Sequence, residues 1–492
     1  MSPIRRVLIT LTTVSCFMGG VGEHAAKAVD SKNVSDVVPA LAPVCAAPFA
    51  DHAVLQQKIK VPVWGTSLPG AKVTVSFDGQ TKTTQADVDG KWRVALDPMD
   101  APKLKSVNDA PPGETMTILC EKDGERAEKE FKNLLIGDVW ICAGQSNMAG
   151  RMKTNRTRHW PTNTLDLASY PALRRMAGDH EPWTVCSPET APNFGKVSFF
   201  FARRVQQDAL VPIGLIRKAV GGSAIESWLN KEPYETGGNY KHHIEPILGY
   251  GVKGVIWYQG ESNQNDRRGY QPKLEALITG WREAWGLGDV PFYYVQLPGL
   301  RDSPTDNPAM GDGRAEIRQA YVEALKLPNT GLAVTTDIGA RGEHPPNKYD
   351  TGDRLARTVL RNVYGFKKVG VSPLYTSHKI EGGTIRISFS DAESGLMLAE
   401  KQGPVDFGPP TPKPDAKLGW LSIQDADGAW HWAEGKIDGS ELVVSSDAVT
   451  KPQAVRYAYT ARPTGPLLYS KDGLPVGPFS TNGYGPDIRS EK

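Results

Sequence analysis

The chain has 492 residues, too long for one ordinary core, so two or three domains of roughly 100–200 residues each are expected. Its 50 glycines and 38 prolines make up about 18 % of the residues against a usual ~12 %, with no collagen-like repeat, and 39 % hydrophobic residues argue against wholesale disorder. With 57 Lys and Arg against 55 Asp and Glu, the formal charge of +2 lacks the basic excess that nucleic-acid binding requires.

At the N-terminus, Arg5 and Arg6 precede the apolar run VLITLTTVSCFMGGVG, and Ala26-Lys27-Ala28 supplies a small-x-small site. The pattern predicts a secretory signal over 1–28, and so an exported protein, periplasmic or extracellular. Small and polar residues over 29–42 read as a linker. No later segment offers the ~18 uninterrupted apolar residues of a membrane span. Once the signal is removed, Cys45, Cys120, Cys142 and Cys186 remain, with no C-x-x-C pair to suggest a zinc ribbon. Export permits disulfides, and Cys45–Cys120 is the first pairing expected, against the alternative of four buried thiols.

From 43 to 132 short alternating runs (KIKVPVWG, AKVTVSFDG, KWRVAL, TMTILCEKDG) are punctuated by Gly and Asp-Gly, the hairpin signal of a β-sandwich. From 133 to 365 strands alternate with helices. Buried strands are predicted within 134–144, 211–222, 252–260, 291–299 and 330–339, and helices over 197–210, 272–286, 314–326 and 353–365. Five apolar strands with helical crossovers argue for a three-layer α/β domain around a parallel sheet, with ligands beyond the carboxyl ends of the strands. From 366 to 492 the alternating pattern returns as a second β-rich region.

The chemistry gathers at those strand ends. Ser146, in CAGQSNMAG, follows the first strand of the α/β region, where a nucleophile is exposed and turn N–H groups can face a developing oxyanion. The second strand runs into Gly221-Gly222, whose lack of side chains lets a peptide N–H approach a reacting carbonyl. The third ends in WYQGESN, offering Gln259 or Asn263 as an amide donor and Glu261 as a carboxylate to orient a base. The fifth ends at Asp337 and leads through GARGE to His344, a general base able to reach over Ser146.

GQSNM after a strand, a GG turn, WYQGESN, and HPPNK followed by GDRLA resemble the sialate O-acetylesterase family, within the SGNH-type serine esterases and related to acetylxylan esterases. The likeness spans about residues 43–485, since PFADHAVLQQKIKVPVWG and DGKWRVAL look like the family's N-terminal β-domain and LLYSKDGLPVGPF like its C-terminal lobe. It implies a flavodoxin-like SGNH hydrolase core flanked by N- and C-terminal β-rich domains, a Ser–His acyl-enzyme mechanism, an O-acetylated carbohydrate as substrate, and no metal or organic cofactor. Ser146 matches the nucleophile, His344 the base, and Gly222 with Gln259 or Asn263 the oxyanion hole. Glu261 matches a carboxylate implicated in catalysis among the acetylxylan esterases.

One departure matters. Many SGNH esterases carry an Asp three residues before the base histidine, and here that residue is Arg341. The acid partner of His344 is therefore open between Glu261, Glu343 and Asp337, or absent in a Ser–His dyad, with Glu261 preferred. A rival reading is a non-catalytic glycan-binding or cell-surface protein on a degenerate hydrolase core. A glycosidase would need two opposed carboxylates and would leave the Ser–His set unexplained. His242-His243 read as surface residues rather than metal ligands. Trp160, Trp183, Trp228 and Trp257 are candidates for a sugar cleft, with ordinary packing the simpler expectation.

Overall fold

The structure, a computed structural model, describes residues 40–484 apart from 155–159, 162, 177, 179–181 and 304–305. The expected signal segment 1–28 and the linker up to residue 39 lie outside the described residues.

Seven strands open the described chain: β1 (Val44–Cys45), β2 (Val54–Gln56), β3 (Val61–Thr66), β4 (Lys72–Phe77), β5 (Gln80–Gln85), β6 (Lys91–Leu96) and β7 (Glu114–Lys122). Period-two alternation builds them. Val73, Val75 and Phe77 of β4, and Trp92, Val94 and Leu96 of β6, turn inward while their neighbours stay wet. β1, β3 and β6 form one antiparallel sheet, and β5, β4 and β7 pair in that order in another.

β8 (Glu125–Gly144) joins two architectures in one 20-residue strand. Its first part pairs antiparallel with β7, and its last part is the centre of a largely parallel sheet. The expected boundary between 132 and 133 therefore falls inside a strand, and a single apolar core runs from Phe49 to Leu360.

The strands that follow are β9 (Tyr170–Met176), β10 (Thr184–Cys186), β11 (Ile213–Ala219), β12 (Gly254–Tyr258), β13 (Phe292–Val295) and β14 (Thr330–Ala333). Their order is β10-β9-β11-β8-β12-β13-β14, parallel except for β10. The helices are α1 (Ser146–Ala149), α2 (Lys196–Ala209), α3 (Tyr270–Trp285), α4 (Gly313–Glu323) and α5 (Lys348–Asn362). α2 packs on α5 and α3 on α4. The result is a mixed α/β fold carrying additional β regions.

β9 and β10 lie where no strand was predicted. Arg174 and Arg175 interrupt the apolar run of β9, yet both are buried. Arg174 donates to the carbonyls of His52 and Asn133, and Arg175 lies over the Phe194 ring at 5.5 Å. Carbonyl acceptors for the one guanidinium and a ring face for the other are what let these cations enter a strand.

A second apolar core, from Ile385 to Phe479, organises the C-terminal β region into three small antiparallel sheets. Buried contacts tie it to the α/β part. Arg318 of α4 donates to the carbonyls of Thr460 and Ala461 at 2.6 and 2.8 Å. Asp337, beyond β14, accepts both ends of the Arg354 guanidinium at 2.6 and 2.7 Å and the Tyr469 hydroxyl at 3.0 Å.

The expected Cys45–Cys120 disulfide is not formed, and all four described cysteines are free thiols. Cys45 sits on β1 and Cys120 on β7, in different sheets. Burial pushes the Cys45 and Cys186 thiols up to about 12, so neither is a ready thiolate.

The side chains of Asp337 and Arg354 are 1 % and 5 % exposed, so removing the carboxylate strands a buried cation. Asp337→Ala is expected to destabilise the fold by about 3–5 kcal/mol, read as a shift of the denaturant midpoint. The fraction that remains folded should retain the wild-type kcat per site.

Candidate active site

The site begins with a level rim. Gly144, the last residue of β8, pairs with Ala219, the last of β11, and with Tyr258, the last of β12. Three loops leave the sheet at one height, carrying Ser146, Gly222 and Glu261. Gly144 makes this approach possible. Its φ is +134°, and a Cβ there would stand 2.1 Å from the Tyr258 carbonyl oxygen. The Gln145 N–H donates to that same carbonyl at 3.0 Å, so the turn that carries Ser146 is hung on β12.

Ser146 opens α1, and His344 stands in the 339–347 loop that leads into α5. Ser146 Oγ and His344 Nε2 are 2.8 Å apart. For the hydroxyl to donate, the imidazole carries its proton on Nδ1. Ser146 is half-buried and His344 exposed, so a substrate reaches both from solvent. A cavity of about 710 Å³ on the N-terminal sandwich, lined by Val44, Trp64, Trp92 and Arg93 among others, shares no residue with this pair.

Among the described residues, no carboxylate hydrogen-bonds to His344. Glu261 is buried and accepts from Asn147 Nδ2 at 2.5 Å through Oε1. Its Oε2 is buried without a partner among the described residues. Asp337 is consumed by Arg354 and Tyr469. Glu343 has an exposed side chain, and what enters the site is its backbone carbonyl, which accepts from Asn147 Nδ2 at 2.9 Å. Arg341, three residues before His344, pairs with Asp302 at 3.0 Å on the surface.

Burial raises the Glu261 pKa, opposed by Arg314, Asn147 and Lys348. Lys348 is buried too, donates to Asn147 Oδ1 at 2.5 Å, and lies 5.4 Å from the centre of the Tyr258 ring. Desolvation brings its ammonium down to about 7 although Glu261 pulls the other way. Neither Asn147 nor Lys348 was singled out from the sequence, although both stand inside quoted motifs, GQSNM and HPPNK, which were read for their Ser and His alone.

Gly222 has φ +71° and an exposed position. Its neighbour Gly221 is close to Ser146, a Cβ there standing 3.8 Å from Ser146 Cβ. Gln259 and Asn263 are buried behind this turn. Gln259 Nε2 donates to the Ser223 carbonyl at 3.1 Å and to Asn263 Oδ1 at 2.7 Å. Asn263 Oδ1 also accepts from the Ile225 N–H, and its Nδ2 donates to Glu226 and Asp266. Both side-chain amides thus direct their N–H groups at the protein, binding the 222–226 turn to the loop after β12.

The four tryptophans named from the sequence are all buried. Trp228 donates to Ser223 Oγ at 2.9 Å and packs edge-on to Trp257, so these rings support the turn rather than face a ligand. His242 is exposed and bonded to the Gly238 carbonyl. Among the described residues no group of three or more His, Cys, Asp or Glu side chains could hold a metal ion.

Residues 136–361 match the family described as "Carbohydrate esterase, sialic acid-specific acetylesterase". The human sialate O-acetylesterase is 29 % identical over 85 % of this chain and 88 % of its own length. A probable carbohydrate esterase of Arabidopsis thaliana is 28 % identical over 39 % of this chain and 76 % of its own. A carbohydrate acetylesterase of Xanthomonas citri of known structure superposes with a TM-score of 0.76 at 32 % identity, covering 89 % of this chain and 99 % of that one. At that coverage the match extends into the β regions on either side of the sheet. The chain accordingly belongs to the sialic acid-specific acetylesterase family and is a carbohydrate O-acetylesterase.

Proposed function

We propose that the protein is an exported serine esterase with an SGNH-type core, which removes acetyl groups from sugar hydroxyls through a Ser146–His344 dyad. The observation that carries this reading is the 2.8 Å contact between Ser146 Oγ and His344 Nε2 on a rim open to solvent. The signal-like segment 1–28 supports export.

Ser146 Oγ attacks the acetyl carbonyl carbon as His344 Nε2 takes the hydroxyl proton. Negative charge then gathers on the former carbonyl oxygen, where the backbone N–H groups of Ser146 and Gly222 are the donors we assign. Gln259 and Asn263 act one step back, holding the turn that presents Gly222. Collapse of the tetrahedral adduct breaks the bond to the sugar oxygen, which leaves with the proton from His344. Water attacks the acetyl-enzyme, gives its proton to His344, and acetate departs as the proton returns to Ser146 Oγ. No step requires a carboxylate on the imidazole, although a dyad is slower than a fully buttressed triad.

The relatives' names divide between sialate and carbohydrate more broadly. The shallow, exposed dyad suits an acetate projecting from a sugar, whether a sialic acid or an acetylated polysaccharide.

Ser146→Ala is expected to lower acetate release by at least about a thousandfold, on an aryl acetate and on O-acetylated sialic acid or xylan alike. Undiminished release by folded Ser146→Ala would sink the proposal, and the natural glycan cleaved fastest by the wild type names the substrate class. Gly222→Ala places an L side chain at φ +71° in otherwise open space, so strain in the turn is its main effect. A fall in kcat of about ten- to a hundredfold is expected, with little change in melting temperature.

A further inference from the structure

His344 is exposed, sits on a loop, and among the described residues has no carboxylate to orient it. Something else must keep its ring at hydrogen-bonding distance from Ser146. The structure offers one side chain that touches both halves of the dyad's framework. Asn147 follows the nucleophile directly and is 2 % exposed. Its Nδ2 donates to the carbonyl of Glu343, the peptide group that leads into His344, at 2.9 Å. The same nitrogen donates to Glu261 Oε1, and Oδ1 accepts from Lys348 Nζ, each at 2.5 Å.

These partners leave the amide one orientation. An ammonium can only donate, and a carbonyl or carboxylate can only accept. Turning the amide over would set N–H groups against Lys348 and an oxygen against both Glu261 and the Glu343 carbonyl, with Asn147, Lys348 and Glu261 all buried. A positive charge at the oxygen end and a negative charge at the nitrogen end also align with the amide dipole. Lys348 begins α5 four residues after His344, so it anchors the same loop from its far side.

We propose that Asn147 is the positioning residue for the base. It clamps the nucleophile turn to the peptide preceding His344, and Glu261 and Lys348 hold its amide in the single orientation that can do so. The proposal rests on the Ser146–His344 reading above. It gives Glu261 a part in catalysis exerted through Asn147, without contact to the imidazole.

The test compares Asn147→Ala and Asn147→Asp with wild type, with kcat expressed per site titrated by an activated aryl phosphonate, so that only folded, reactive molecules are counted. A loop free to drift by about 1 Å should lower kcat on an aryl acetate roughly a hundredfold, with KM little changed and phosphonylation of Ser146 slowed by a similar factor. Asn147→Asp has nearly the same shape but no N–H to offer the Glu343 carbonyl, so it should lose as much as Asn147→Ala, which separates donation from packing. Adding Lys348→Met to Asn147→Ala should cost little further, since both act through one contact. Folded Asn147→Ala or Asn147→Asp with wild-type kcat would overturn the proposal. So would failure of both variants to fold, which would make Asn147 a purely structural residue. Ser146→Ala and His344→Ala run alongside. If they abolish activity while the Asn147 variants do not, only the clamp is wrong; if Ser146→Ala stays active, the dyad reading beneath it has failed.

Discussion

The site depends first on a missing side chain. Gly144 ends the central strand with a backbone conformation that L side chains rarely adopt, and its Cα faces the Tyr258 carbonyl at a distance no Cβ would tolerate. Because β8 can close on β12 there, the strand ends at Gly144, Ala219 and Tyr258 stay level. Ser146, Gly222 and Glu261 then stand two or three residues beyond one common rim. A parallel sheet has all its carboxyl ends on one side, so converging loops are cheap to build, but convergence to within a hydrogen bond needs such a close approach.

The second constraint is electrostatic. A histidine base is commonly oriented by a carboxylate that also stabilises its imidazolium. Here two of the candidates have other engagements: Asp337 is held by Arg354 and Tyr469, and Glu261 by Asn147. Placing charges of opposite sign on the two ends of one buried amide gives direction in place of charge. Burial works against both charges, raising the Glu261 pKa and lowering that of Lys348, and the amide between them is one of the groups that oppose this for Glu261. Arg314, close enough to Glu261 to oppose the rise, adds a cation from α4.

What could be read from the sequence follows from which signals are local. The five central strands were legible as continuous apolar runs, and α2 to α5 as helical patterns displaced by only a few residues, since both periods sit within single segments. That Ser146 and His344 would lie within reach of each other was legible because one follows a strand end and the other precedes the last helix. β9 was hidden by Arg174 and Arg175: Arg174 is buried against carbonyls of His52 and Asn133, far away in the chain, and Arg175 over the Phe194 ring. Asn147 and Lys348 were hidden for the same reason. They meet across 201 residues, and neither an amide nor a lysine carries a chemical signature until its partners are known. The amides of Gln259 and Asn263 illustrate the reverse, because their type suggested oxyanion donors while their surroundings give the N–H groups to Ser223, Glu226 and Asp266.

The C-terminal β region also changes meaning once contacts are known. As a sequence it looked like an appended lobe, with its own apolar core. Yet Tyr469 completes the shell around Asp337, and the carbonyls of Thr460 and Ala461 saturate Arg318 beneath the loop after β13. Arg462 binds Asp302, the same carboxylate that Arg341 reaches from the His344 loop. The exposed part of this chain is weak by itself, but the buried part is not. A base carried on a solvent-facing loop must be braced from both sides. In this fold the nucleophile turn braces it from within, and the C-terminal region braces the segment on which the loop begins.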